Sequence, residues 1–220
     1  MSRSLISLLL VIMSLYGTVT HAKDSHIFLF MDEQGQPLQD VIVEPVGETN
    51  FTQPNQVATI DQVNKRFKPT QIVITKGQSV DFPNSDNIRH HVYSFSKAKT
   101  FELKLYADTP EHPIKFDDHG VVVLGCNIHD TMIGYIYVSL SPHSVMSDKD
   151  GKAILTTDEP INVVNIWHRY QASGPESLRT VSISDLHKDS NGNYVINLTV
   201  TPPEPTSSFE DTFGGFSEEN

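Results

Sequence analysis

The chain reads as all-β, and three observations predict it. Its apolar runs are short and rich in valine, isoleucine and aromatic residues, turn signals separate them at close intervals, and no long stretch keeps a helical period. Strands are expected first at 26–30 and 41–43, where His26-Ile27-Phe28-Leu29-Phe30 and Val41-Ile42-Val43 flank a turn with Gly35 and Pro37. The next group is 71–74, 79–82, 92–95 and 121–124, with Lys76-Gly77 turning between the first two. The last group is 135–138, 162–167, 180–183 and 194–200, with turns at Asp148-Lys149-Asp150-Gly151 and Asn191-Gly192.

Residues 50–140 are long enough for one Greek-key sandwich. The flanking pieces are not: an isolated hairpin has too little face to bury. The expected organisation therefore joins 24–49 with 141–201 into a small Ig-like sandwich, split by the insertion of the 50–140 domain; plain tandem domains are the other arrangement. From Pro202 the composition shifts to Pro, Ser, Glu, Gly and Phe, as in a disordered acidic tail over 202–220.

Residues 2–22 hold one charge, Arg3, then an apolar run and a small-residue exit ending Thr20-His21-Ala22, the layout of a signal peptide over 1–22. The run is too short for the roughly 20 apolar residues of a membrane span. An exported, periplasmic protein without a later span is expected. The formal charge is −11, and loss of the leader would make it one unit more negative. Such a chain does not suit nucleic acid, whereas a basic protein partner would be drawn to it.

Cys126 is the single cysteine, so it cannot form an intrachain disulfide. In an oxidising compartment a leftover thiol pairs between molecules, reacts or ligates metal. Cys126, His129 and Met132 recur at three-residue intervals between two strand-like runs. Thiolate, imidazole and thioether on one short loop form a soft ligand set that suits copper better than hard cations. A second imidazole is available in Asn84-Ser85-Asp86-Asn87-Ile88-Arg89-His90-His91, after the 79–82 strand. Two imidazoles and a thiolate near one plane, with a long axial thioether, make a blue-copper arrangement.

Phe67-Lys68-Pro69, Ile72 through Gly77, Val80-Asp81-Phe82-Pro83-Asn84, His90-His91-Val92 and Cys126 through Gly134 resemble the cupredoxins, the plastocyanin and amicyanin kind of type 1 copper protein. The resemblance covers about a third of the chain, roughly 67–138. It implies one copper per chain, ligands His90, Cys126, His129 and Met132, and single-electron transfer with a redox partner such as a c-type cytochrome or a dehydrogenase. It implies a monomeric carrier and no enzyme. A periplasmic copper-handling protein, for storage or delivery without redox cycling, would use the same ligands. Where those relatives have Asn after the first His ligand, this chain has His91, which is also an alternative ligand. The double His and Tyr93-Ser94-Phe95-Ser96 further resemble bacterial proteins labelled methylamine utilisation proteins. Asp32 through Val41 and Ser147 through Lys152 resemble the hairpins of carboxypeptidase-regulatory-like domains.

The other histidines point elsewhere. His112, His119, His143 and His187 sit in polar stretches and are expected to be solvated, and His168 is expected to be structural unless the two domains pack face to face. Asp148 and Asp150 lack the later acid of a calcium loop and read as a turn. No nucleophile elbow or phosphate-binding glycine loop is present.

Overall fold

The computed structural model describes residues 23–47 and 55–202. The leader expected at 1–22, and the acidic tail from residue 203 onward, lie outside the described residues. The strands are β1 (Asp24–Met31), β2 (Ile42–Pro45), β3 (Ala58–Thr59), β4 (Asp61–Gln62), β5 (Phe67–Lys68), β6 (Gln71–Thr75), β7 (Ser79–Asp81), β8 (His90–Ser96) and β9 (Lys99–Tyr106). They continue as β10 (Ile114–Lys115), β11 (Gly120–Gly125), β12 (Ile133–Ser139), β13 (Val145–Met146), β14 (Lys152–Thr157), β15 (Val163–Trp167), β16 (Arg179–Ser182) and β17 (Tyr194–Asn197). The helical content of the described residues is one short 3-10 turn, Ile183–Asp185.

Hydrogen bonding sorts these strands into two groups. In the middle of the chain, a five-stranded sheet runs β6-β12-β11-β8-β9, a smaller one runs β10-β7-β3, and β4 pairs with β5. A core that includes Ile74, Val80, Phe82, Val92, Phe116, Leu124, Ile136 and Val138 draws side chains from both larger sheets. The flanks form a second group, with sheets β14-β1-β17 and β13-β2-β15-β16. Phe28, Phe30, Val43, Leu155, Val164, Ile166 and Ile196 fill the core that they share.

Strand alternation explains how the two sandwiches meet. On β12, Ile136 and Val138 point into the first core, so Tyr135 and Tyr137 point the other way. On β2 and β15, Val43 and Ile166 enter the second core while Ile42 and Trp167 face out of it. These outward faces close on each other: Tyr135 and Tyr137 each place their ring centroids 5.9 Å from that of Trp167. Trp167 is fully buried and its indole N–H donates to Pro175 O at 2.8 Å. Burying an indole of this size removes on the order of 200 Å² from water, roughly 4–6 kcal/mol of transfer free energy before entropy is counted. This seam covers the β6–β12 side of the large sheet.

Three hairpin turns of the flanking sandwich share one design. Asp32, Asp148 and Asp189 each accept, through Oδ1, the backbone amides two and four residues later. Each is followed three residues on by a glycine at positive φ: Gly35, Gly151 and Gly192. The aspartate supplies a local acceptor in place of strand pairing, which is why Asp148 belongs to a turn.

Several expected strands differ at their ends. The run expected over 194–200 stops as a strand at Asn197, because its partner β1 ends at Met31 opposite it; Val200 keeps one bridge to Gln171. The run expected over 180–183 ends at Ser182, and Ile183 opens the 3-10 turn. β9, an eight-residue strand at the sheet edge, was not among the expected strands.

Candidate metal centre

The site sits where three chain segments reach one end of the central sandwich. β8 opens at His90, β11 ends at Gly125, and β12 begins at Ile133. Residues 126–132 must therefore turn back between two adjacent antiparallel strands. They do so through hydrogen bonds from Met132 N to His129 O (2.9 Å) and from Ile133 N to Thr131 O (3.1 Å). A side chain at Gly125 would run into the Tyr93 ring, with Cζ 2.7 Å from its Cβ position, so the bare backbone lets β8 and β11 close up beside Cys126.

Within this frame, Cys126 Sγ lies 3.8 Å from His90 Nδ1 and 3.8 Å from His129 Nδ1. Among the described residues these three form the group whose ligand atoms converge, all within 4.8 Å of one another. His90 is 0% exposed and Cys126 3%, while His129 is half-buried. Met132, on the same loop, is 1% exposed and belongs to the same core cluster as Cys126. Burial first, then His90 and Lys65, hold the His129 imidazole below its ordinary pKa, which favours the neutral, ligating form.

The donor set and spacing fit a metal ion. Bonds of roughly 2.0 Å to nitrogen and 2.3 Å to sulfur, about 120° apart in one plane, give N···S edges of about 3.7 Å. The observed edges are 3.8 Å. Two imidazoles and a thiolate without a carboxylate suit a soft or borderline ion, and copper in particular when a thioether is at hand.

Both loops around His90 are tied down. Asn84 Nδ2 donates to Ile88 O (2.8 Å) and Tyr106 O (3.1 Å), fixing the turn before β8. His90 Nε2 lies 2.7 Å from Asp86 Oδ2. Asp86 also accepts the amides of Asn64 (2.6 Å) and Lys65 (2.9 Å). Burial would raise the Asp86 pKa, but the Lys65 amide, His90 and the Asn64 amide together hold it below the ordinary value.

The neighbouring histidines are sorted by strand alternation. His91 turns to the other face of β8, where its Nε2 is 3.1 Å from Glu102 Oε1 and its ring lies tilted against Tyr93, with centroids 5.7 Å apart. His168 is buried outside the converging group, edge-on to Tyr170 at 5.6 Å. Burial, then Arg169, pushes it down to about 4.

His119 corrects an expectation. It is not simply solvated: its Nε2 is 3.0 Å from the fully buried carboxylate of Glu44, in the seam between the sandwiches. Glu44, Asp86 and the paired role of His119 escaped the sequence reading. The available signals were an acid inside the apolar run 41–45 and an acid four residues before His90.

No protein-family model and no curated protein matches the chain. Solved structures do. A Cu-containing nitrite reductase (NirK) from Thermus scotoductus SA-01 is similar at 24% identity over 43% of this chain, with a TM-score of 0.36. The alignment spans 25% of that reductase's own length. A purple cupredoxin from Nitrosopumilus maritimus is similar at 21% identity over 37% of this chain and 99% of its own, with a TM-score of 0.33. Amicyanin from Paracoccus versutus is similar at 17% identity over 44% of this chain and 97% of its own, with a TM-score of 0.33.

Proposed function

We propose that the chain binds one copper ion through His90, Cys126 and His129, that Met132 would supply a thioether as fourth donor, and that the chain carries single electrons as a cupredoxin-like protein. The convergence of a thiol and two imidazoles, with Cys126 Sγ 3.8 Å from each Nδ1, carries this reading. Bound copper supplies a one-electron couple. The protein's part is to hold the donors still: His90 starts a strand of the core sheet and is anchored by Asp86, and Cys126 follows directly on β11. Donors fixed in this way need little movement when the charge of the ion changes. Burial of Cys126 keeps oxidants from the thiolate.

His129 is the half-exposed ligand and the natural exit for the electron. Its neighbour Ile128 is 49% exposed, giving a partner an apolar surface beside the exit. A chain of this acidity favours a basic redox partner, such as a c-type cytochrome or a dehydrogenase domain, met in the periplasm after export. The carrier works as a shuttle and transforms no substrate of its own.

The test is a Cu(II) titration of the purified protein, followed by visible absorption and EPR. An intense thiolate-to-copper band at one equivalent, with narrow copper hyperfine splitting, is the expected result, and Cys126→Ser should abolish it. A colourless one-to-one complex, or an intense band that survives Cys126→Ser, overturns the proposal.

A further inference from the structure

We infer that Asp86 is a positioning residue of this centre: its carboxylate fixes the proton of His90 on Nε2 and lowers the reduction potential of metal held at Nδ1. The inference rests on the copper reading above. It is carried by the contact between Asp86 Oδ2 and His90 Nε2 at 2.7 Å, on a histidine with no exposed surface. An ionised carboxylate only accepts, so Nε2 must carry the hydrogen. Nδ1, the atom that faces Cys126 at 3.8 Å, then keeps its lone pair free.

The surroundings hold that carboxylate in place. Asp86 Oδ2 also takes the Lys65 amide and Oδ1 the Asn64 amide. Asn64 and Lys65 have φ of 54° and 55°, a left-handed pair that non-glycine residues adopt at a cost on the order of 1–2 kcal/mol each. Backbone in that conformation, pinned on both oxygens of one carboxylate, marks a segment built to aim Asp86. The two imidazoles therefore differ: His90 is backed by a half-buried carboxylate, and His129 is itself half-exposed to solvent with no such partner among the described contacts.

A carboxylate hydrogen-bonded to a ligating imidazole raises its basicity. That stabilises the more highly charged Cu(II) over Cu(I), so the potential falls. Asp86→Asn keeps an acceptor near His90 and the amides while removing the charge. The expected result is a Cu(II) affinity about 10- to 100-fold weaker. With Cu(I) affinity unchanged, each tenfold is an upward shift of about 59 mV for a one-electron couple.

Cu(II) and Cu(I) affinities by chelator competition, voltammetry, EPR and melting of the metal-free protein would be measured together. Asn64→Gly is the control: it removes only a side chain, at a positive-φ position that glycine accepts, and keeps the amide that meets the carboxylate, so it is expected to change melting while leaving the potential at the parent value. Asp86→Ser is the second neutral variant should Asp86→Asn not fold. A blue Asp86→Asn protein with the parent potential overturns the inference and leaves the copper reading standing. A parent protein without the thiolate-to-copper band overturns both.

Discussion

The carboxylate of Glu44, on β2 of the flanking sandwich, accepts a hydrogen bond of 2.8 Å from the hydroxyl of Tyr137, on β12 of the central one. Glu44 is fully buried and collects four further donors: Ser139 Oγ at 2.8 Å, Leu140 N at 2.5 Å, Asn165 Nδ2 at 2.8 Å and His119 Nε2 at 3.0 Å. Burial and then the Glu44 charge push the Tyr137 hydroxyl up, so it stays protonated and donates. β12 thus carries the loop of residues 126–132 at one end and this buried anion along its seam face. The seam fixes β12 against the flanking sheet.

Removing the anion should cost far more than one hydrogen bond, since several buried donors lose their acceptor together. Glu44→Ala is expected to destabilise the protein by about 3–5 kcal/mol. Glu44→Gln, which keeps one acceptor oxygen but brings two donors of its own, is expected to cost about 1–3 kcal/mol. Urea unfolding at neutral pH checks both, and an unchanged midpoint for Glu44→Ala would remove the clamp role.

The same carboxylate makes stability depend on acid. Burial alone would raise its pKa, but hydrogen bonds from His119, Asn165 and the Leu140 amide bring it from 4.5 to about 2. A group with a depressed folded-state pKa stabilises fully above its unfolded value and loses that contribution as pH falls toward the folded one. The window is therefore from about pH 4.5 down to about 2, and the amount is on the order of 3 kcal/mol. Urea midpoints measured through this range should fall in the parent and fall less in Glu44→Gln. Parallel slopes in the two proteins would show that other groups carry the acid dependence.

What could be read from the chain followed the range over which each signal acts. Cys126, His129 and Met132 lie on seven consecutive residues between two β-branched runs, so their spacing alone announced a shared loop. Alternation separated His90 from His91 without choosing between them, and it was the resemblance around Asn84 that favoured His90. Glu44 was hidden because an acid on the outward face of a strand normally meets water, and here that face meets a second sandwich. His119 was misjudged for the same reason. β9 has its own signal, with Phe101, Leu103 and Leu105 alternating with Glu102 and Lys104.

Gly134, next to the start of β12, is expected to tolerate no side chain. A Cβ there would sit 3.0–3.1 Å from Cδ2, Cβ and Cγ of Phe67, which is itself buried in the central core and cannot swing its own Cβ away. Gly134→Ala should cost about 1–3 kcal/mol from overpacking. Thermal unfolding of the metal-free protein measures it. A neutral effect would mean that β5 shifts freely, which the burial of Phe67 argues against.

The paired histidines give the most direct check on the geometry of the centre. His90 Nδ1 faces Cys126, while His91 Nε2 faces Glu102 on the solvent side of β9. Loss of His91 therefore removes a contact to the exposed Glu102 carboxylate, of the kind that contributes about 0–1 kcal/mol, and loss of His90 removes a donor and leaves Asp86 only the Asn64 and Lys65 amides. His91→Ala is expected to keep the copper affinity and visible spectrum within about twofold, whereas His90→Ala should weaken binding by more than about 100-fold, beyond what outer contacts are worth. Competition titration with a copper chelator, run beside the absorption spectrum, separates the two. If His91→Ala loses the metal and His90→Ala keeps it, β8 is rotated by one residue in the loaded protein and the ligand assignment passes to His91.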